Sequence, residues 1–261
     1  MKIAIVQTNP IFGEIKENVS SAISMMENAD AELYVLPELF NTGYNFIEQN
    51  ELLKLAEPQN GFTIQTLQHF TKQKHCYIVC GFAEKTEGCF YNSSALIGPD
   101  NLIGIYRKVH LFYRENLFFT PGNLGFPVFD LPFGKIGMMI CFDWIYPEAA
   151  RTLAIKGAQL IAHPSNLVLP YCPDAMITRC LENRIFAATV NRVGEEIRGG
   201  INLTFIGNSE IVTPKGEILI RLGRSEPEIH VEEIDLSAAN DKFATEYNHL
   251  FQNRRPDQYE C

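Results

Sequence analysis

Short apolar runs alternate with amphipathic helical stretches along nearly the whole chain, and this rhythm restricts its fold more than any other feature. "KIAIVQT" (2–8) reads as a strand, and in the next stretch (17–29) Val19, Ala22, Ile23 and Met26 fall at helical spacing. "ELYVLPE" (32–38) is a second strand, stopped at its C-terminal edge by Pro37. A helix over 62–74 and a strand over 76–85 follow. Residues 90–97 and 102–108 form a hairpin around "GPDN", and 126–131 and 135–141 a second pair around "PFGK". Helices over 147–157 and 173–186 then alternate with strands over 158–164 and 186–193. Strand-like runs near 203–207, 209–213, 217–222 and 230–236 end the pattern. Elements in this order predict an α/β protein.

A chain of 261 residues can bury a substantial core without disulfides or metals. No linker, repeat or low-complexity tract interrupts it, so residues 1–261 are expected to form a single domain. From about 237 the sequence turns polar, and such a tail must dock or fray. A net charge of −9 without clustered Lys and Arg argues against nucleic acid or an anionic membrane surface as partner. No apolar stretch approaches the length of a membrane span, and the apolar run near the N-terminus is too short for a signal-peptide core. The seven cysteines are odd in number and scattered, which points to a reducing cytoplasm.

Three stretches place a reactive side chain where a strand stops. "VLPELF" puts Glu38 just past a strand, "IYRKVHLFYRE" puts Lys108 at a strand end with Glu115 following, and "MMICFDWIYPE" puts Cys141 at another. In open α/β folds, ligands gather beyond the carboxyl ends of strands, so the three ends can converge in space. Each residue also has a plain alternative. Glu38 can be a solvated loop acid, Lys108 a charged strand terminus, Glu115 a partner of Arg107 or Arg114, and Cys141 a small core hydrophobe. The joint pattern is harder to dismiss.

The three stretches resemble the motifs of the nitrilase superfamily of carbon–nitrogen hydrolases: "LPELF" with Glu38, "YRKVHLF" with Lys108, and "GMMICFDWIYPEAAR" with Cys141. "GAQLIAHPSN", "ENRIF" and "GNSEIVTPKGEIL" extend the resemblance, in order, over essentially the whole chain. It implies a four-layer α-β-β-α sandwich, a Glu–Lys–Cys triad supported by Glu115, no metal or organic cofactor, and a homodimer or higher homo-oligomer. The implied reaction hydrolyses a non-peptide C–N bond of a small amide through a cysteine thioester, releasing ammonia and an acid. The alternatives are a nitrilase and an N-carbamoyl or ω-amide hydrolase.

A thiol is little ionised at neutral pH, so Glu38 would take its proton as base and return it to the leaving amine. Lys108 and the Phe142 N–H would hold the oxyanion. Pro147 fits the first turn of a helix whose positive end would favour an anionic sulfur. Phe112, Tyr113, Phe142 and Trp144 suggest a small apolar pocket in which Asn166 donates to substrate. The run Phe142-Asp143-Trp144 after the nucleophile resembles the amidase branches, so amides are expected over nitriles.

Other candidates carry less. His75, Cys76 and Cys80 are too few for a zinc site, Cys172 and Cys180 carry no redox motif, and there is no nucleotide fingerprint. His110 and His163 make a Cys–His hydrolase thinkable, although the motifs already supply Glu and Lys in the roles His would fill. A purely binding role is also conceivable, but all four site positions are intact.

Overall fold

The computed structural model describes residues 1–259. Its first half comprises β1 (Lys2–Gln7), α1 (Ile15–Met26), β2 (Leu33–Val35), α2 (Gln49–Leu55), α3 (Phe62–Lys74), β3 (Tyr77–Thr86), β4 (Cys89–Ile97) and β5 (Leu102–Arg107). The second half comprises β6 (Val128–Leu131), β7 (Gly134–Met138), α4 (Pro147–Ile155), β8 (Leu160–Pro164), α5 (Cys172–Asn183), β9 (Phe186–Val190), β10 (Glu195–Arg198), β11 (Ile201–Thr204), β12 (Glu210–Val212) and β13 (Ile218–Arg221). β14 (Glu228–Glu233) returns to the first sheet, and a small hairpin, β15 (Phe243–Thr245) and β16 (Asn248–His249), ends the regular structure.

Two six-stranded sheets result, ordered β14-β1-β2-β3-β4-β5 and β13-β12-β9-β8-β7-β6. Each has three parallel strands at its centre, β1–β2–β3 in one and β7–β8–β9 in the other, with antiparallel neighbours on both sides. The strand alternation shows why the layers stack. Ile3, Ile5, Leu33 and Val35 join Met138, Leu160 and Ala188 in the core between the sheets. Ala4, Val6 and Tyr34 point the other way, onto Val19, Ala22 and Met26 of α1 and Ile64, Leu67 and Phe70 of α3. Helices α4 and α5 cover the second sheet through Ala149, Leu153, Met176 and Cys180. This is the expected four-layer α-β-β-α sandwich.

Details differ from the sequence reading. The run near 203–207 does not enter a main sheet; part of it forms β11, which pairs only with β10. Helix α2, absent from the sequence pattern, buries only Leu52. The tail docks partly on its own chain. Leu236 and Ala239 are buried, and the Lys242 ammonium donates to the carbonyls of Asn183 and Arg184 at the end of α5. Glu260 and Cys261 lie outside the described residues.

The fold serves the site through strand direction. β5 is antiparallel to β4, which is antiparallel to β3, so β2 and β5 end on the same edge. There two glycines allow close backbone approach. A Cβ on Gly81 would stand 2.5 Å from the Cα of Glu38, and one on Gly122 would stand 2.0 Å from the carbonyl oxygen of Arg107. Phe40 N–H donates to Gly81 O and Gly122 N–H to Lys108 O, so β3 and the 121–123 loop brace the two chain segments. Replacing Gly81 with Ala is expected to cost about 1–3 kcal/mol through overpacking. The melting temperature should fall by several degrees in calorimetry, and turnover should fall further than stability because Glu38 is displaced. A variant with wild-type melting and turnover would contradict this bracing.

Candidate active site

The Lys108 ammonium is fully buried between two carboxylates, 2.7 Å from Glu38 Oε1 and 2.7 Å from Glu115 Oε1. Its backbone N–H donates to Asn92 O in β4, and the Asn92 side chain donates to the same Glu38 oxygen at 2.7 Å. Glu115 does not pair with Arg107, which forms a two-pronged ion pair with Glu84, nor with Arg114. Instead its Oε1 accepts a second bond, from the Tyr44 hydroxyl at 2.7 Å, and its Oε2 accepts from the Phe112 N–H. Glu115 is therefore held at both oxygens. Glu38 is not: its Oε2 is buried without a partner.

The electrostatics follow from burial. Desolvation alone would pull the Lys108 ammonium down, but Glu115 and Glu38 outweigh it and hold the group above its ordinary value. Burial pushes the Glu115 carboxyl up to about 6, against the pull of Lys108. Burial, and then the Glu38 charge, push the Cys141 thiol well above its ordinary range, with Lys108 opposing more weakly. The resting sulfur is thus a neutral thiol. The Tyr44 phenol is pushed up by burial and by Glu115, so it remains a donor.

Cys141 sits past the end of β7, at the start of a single 3₁₀ turn, Cys141–Ile145, with φ of 40°. A non-glycine residue in that region costs about 1–3 kcal/mol and persists only where its surroundings enforce it. Asp143 supplies much of the enforcement. Its buried carboxylate accepts from Ile140 N–H at 2.9 Å, from the Tyr106 hydroxyl at 2.6 Å, and from the backbone and ring of His110. Asp143 therefore faces the turn and its supports rather than the space beside the thiol. Helix α4 starts at Pro147, directly after the 3₁₀ turn that Cys141 opens.

Beside the thiol lies a small cleft, about 20 Å³ in free volume, lined by Phe112, Phe142, Trp144, Asn166 and Leu167–Leu169. That is room for about one water molecule. Tyr113 is exposed and lines a separate small cavity with Tyr44 and Glu115. The Asn166 amide already donates to Glu38 O at 2.8 Å, which leaves its buried Oδ1 as the unpartnered atom. His163 approaches the carbonyl of Cys141 rather than its sulfur. Tyr44 and Asn92 escaped the sequence reading. Their only signal was a Gly-Tyr pair after Glu38 and an Asn in the strand paired with β5.

Residues 2–241 match the carbon–nitrogen hydrolase family model, and the chain belongs to that family, within the nitrilase superfamily. Among curated relatives, a nitrilase of Pyrococcus abyssi is 49% identical, covering 99% of each chain. An (R)-stereoselective amidase of a Pseudomonas species is 37% identical over 90% of this chain and 85% of its own. Of the solved structures, an amidase of Nesterenkonia from the nitrilase superfamily superposes with a TM-score of 0.84 at 25% identity, covering 98% of this chain and 95% of that one.

Folding raises the Glu115 carboxyl from 4.5 to about 6, so between these values the folded state binds more proton than the unfolded one. This contribution to stability therefore falls as pH rises through that window. If hydrolysis depends on the Glu115 carboxylate holding Lys108, its rate should instead rise through pH 6. Glu115→Gln should move that acidic limb of kcat/KM while lowering kcat. An unmoved limb would assign the titration to another group.

Proposed function

We propose that this chain hydrolyses small amides through a thioester on Cys141, with Glu38 as base and then acid, Lys108 and the Phe142 N–H as oxyanion donors, and Glu115 holding Lys108. One observation carries the reading: Glu38 Oε2 is a buried, unpartnered acceptor whose charge acts on a neutral thiol. As sulfur attacks the carbonyl carbon, its proton passes to Oε2 and the C=O π electrons move onto oxygen, where the Lys108 ammonium meets them. Collapse breaks the C–N bond, and the Glu38 proton leaves with ammonia. Water then attacks the thioester, giving a proton to Glu38. Collapse expels the sulfur, which recovers that proton as the acid departs. The sum is amide plus water to acid plus ammonia, with chemistry that requires no cofactor.

The free volume beside the thiol favours short acyl groups, held by Phe142, Trp144 and the Asn166 Oδ1 acceptor, with Tyr113 at the outer rim. None of the cleft's lining residues is cationic, which favours neutral amides over N-carbamoyl acids. The Pyrococcus abyssi relative, named a nitrilase, keeps nitriles as the second reading. The Asp143 carboxylate does not bear on that choice, because it is engaged by Tyr106 and Ile140. The enzyme is read as cytoplasmic, where the catalytic thiol would remain reduced.

The test compares kcat/KM for a short amide and the nitrile of the same skeleton, following ammonia, in wild type and in Cys141→Ala. The amide should be preferred and the variant inactive. Preference for the nitrile would change the substrate class, and more than a few per cent residual activity in the variant would remove the mechanism.

We also propose a homodimer formed through α4, α5 and the tail. Ile145, Tyr146, Ile155 and Leu181 are exposed there, and a cleft of about 930 Å³ opens between Pro147, Arg151, Glu182 and Leu250. Light scattering at micromolar concentration should give a dimer or a multiple of one. A monomer would refute it.

A further inference from the structure

His163, the residue before the last in β8, is fully buried, and none of the proposed proton transfers uses it. Its Nε2 lies 2.9 Å from the carbonyl oxygen of Cys141, and its Nδ1 lies 3.0 Å from the Thr189 hydroxyl in the neighbouring strand β9. A carbonyl can only accept, so Nε2 carries the proton and Nδ1 accepts from Thr189. Burial pulls the ring down to about 4, outweighing the bond to Cys141 and the charge of Asp143, so the ring stays neutral. The sulfur has no part in this arrangement.

The carbonyl that His163 holds belongs to the same peptide plane as the Phe142 N–H. In a planar trans peptide the C=O and N–H point in opposite directions, so fixing one aims the other. We propose that His163 is a positioning residue that orients the Phe142 N–H as an oxyanion donor by gripping Cys141 O from behind. It rests on the reading of Cys141 as nucleophile. The pull on the carbonyl also polarises the peptide, which strengthens that N–H as a donor. The left-handed backbone of Cys141 has to be held by its surroundings, and the bond from His163 adds to the 3₁₀ turn in holding it.

The test separates steps that build an oxyanion from those that do not. Three variants are compared with wild type. His163→Leu removes the donor. His163→Asn stays polar but is one bond too short to reach Cys141 O. His163→Gln carries an amide nitrogen as many bonds from Cβ as Nε2. Each is assayed for kcat and KM on a short amide, for inhibition by the matching aldehyde, and for Cys141 alkylation by iodoacetamide, read by mass spectrometry. The aldehyde adds to the thiol to give a hemithioacetal whose oxygen occupies the oxyanion site, whereas alkylation forms no oxyanion.

Leu and Asn should lose about 10²-fold in kcat with KM nearly unchanged, the scale of one lost oxyanion donor. Aldehyde affinity should weaken in parallel, alkylation should stay within a few-fold, and Gln should recover at least tenfold. Unchanged kcat and aldehyde affinity in Leu or Asn would overturn the proposal. So would equal losses in turnover and alkylation with no recovery in Gln, which is the signature of simple misfolding. If Leu does not fold, by its circular dichroism, Asn against Gln decides. Wild-type activity that survives Cys141→Ala would instead remove the underlying nucleophile assignment, a result distinct from any of these.

Discussion

The rest of the site depends on one buried cation. Lys108 sits in the interior with a carboxylate on either side, and neither ion would be tolerable there alone. Such an array adds little net stability, because the cost of desolvation offsets much of the attraction. Its value lies in what it fixes. The ammonium ties Glu38, which follows β2, to Glu115, which follows β5. Burial first, and then the excess negative charge of two carboxylates around one ammonium, hold the nearby thiol in its protonated form.

The surrounding backbone is built to hold that arrangement still. Asn92 bonds both the Lys108 backbone and the Glu38 carboxylate. Tyr44 closes the far side of Glu115, and its own loop is held by Glu196, which accepts the backbone N–H groups of Tyr44 and Asn45 and pairs with the buried Arg192. Leu39, Tyr113 and Cys141, each beside or within a motif, have positive φ. Strain recurring at the three segments that build the site is what a preorganised centre requires, since groups placed before the reaction need not reorganise during it. The close packing that secures this also leaves little space beside the thiol.

Much of this was legible in the chain. Short continuous apolar runs with helical spacing between them specified the α/β class, because a sheet covered on both faces needs apolar side chains on both. The strand-ending motifs specified Glu38, Lys108, Glu115 and Cys141, since Pro37 and the polar residues after Cys141 mark where each strand must stop. Tertiary structure alone decided the partners. Whether Glu115 would meet Arg107, Arg114 or Lys108 depended on the register of β4 against β5, and that pairing gave Arg107 to Glu84. Asp143 was legible as a neighbour of the thiol but not as the cap of its turn, because a side chain's direction in a 3₁₀ turn is set by what packs against it. His163 showed only as a histidine near a motif. The side-by-side pairing of β8 with β7 and β9 put its two nitrogens on Cys141 O and Thr189, a contact between residues far apart in sequence that no local pattern encodes.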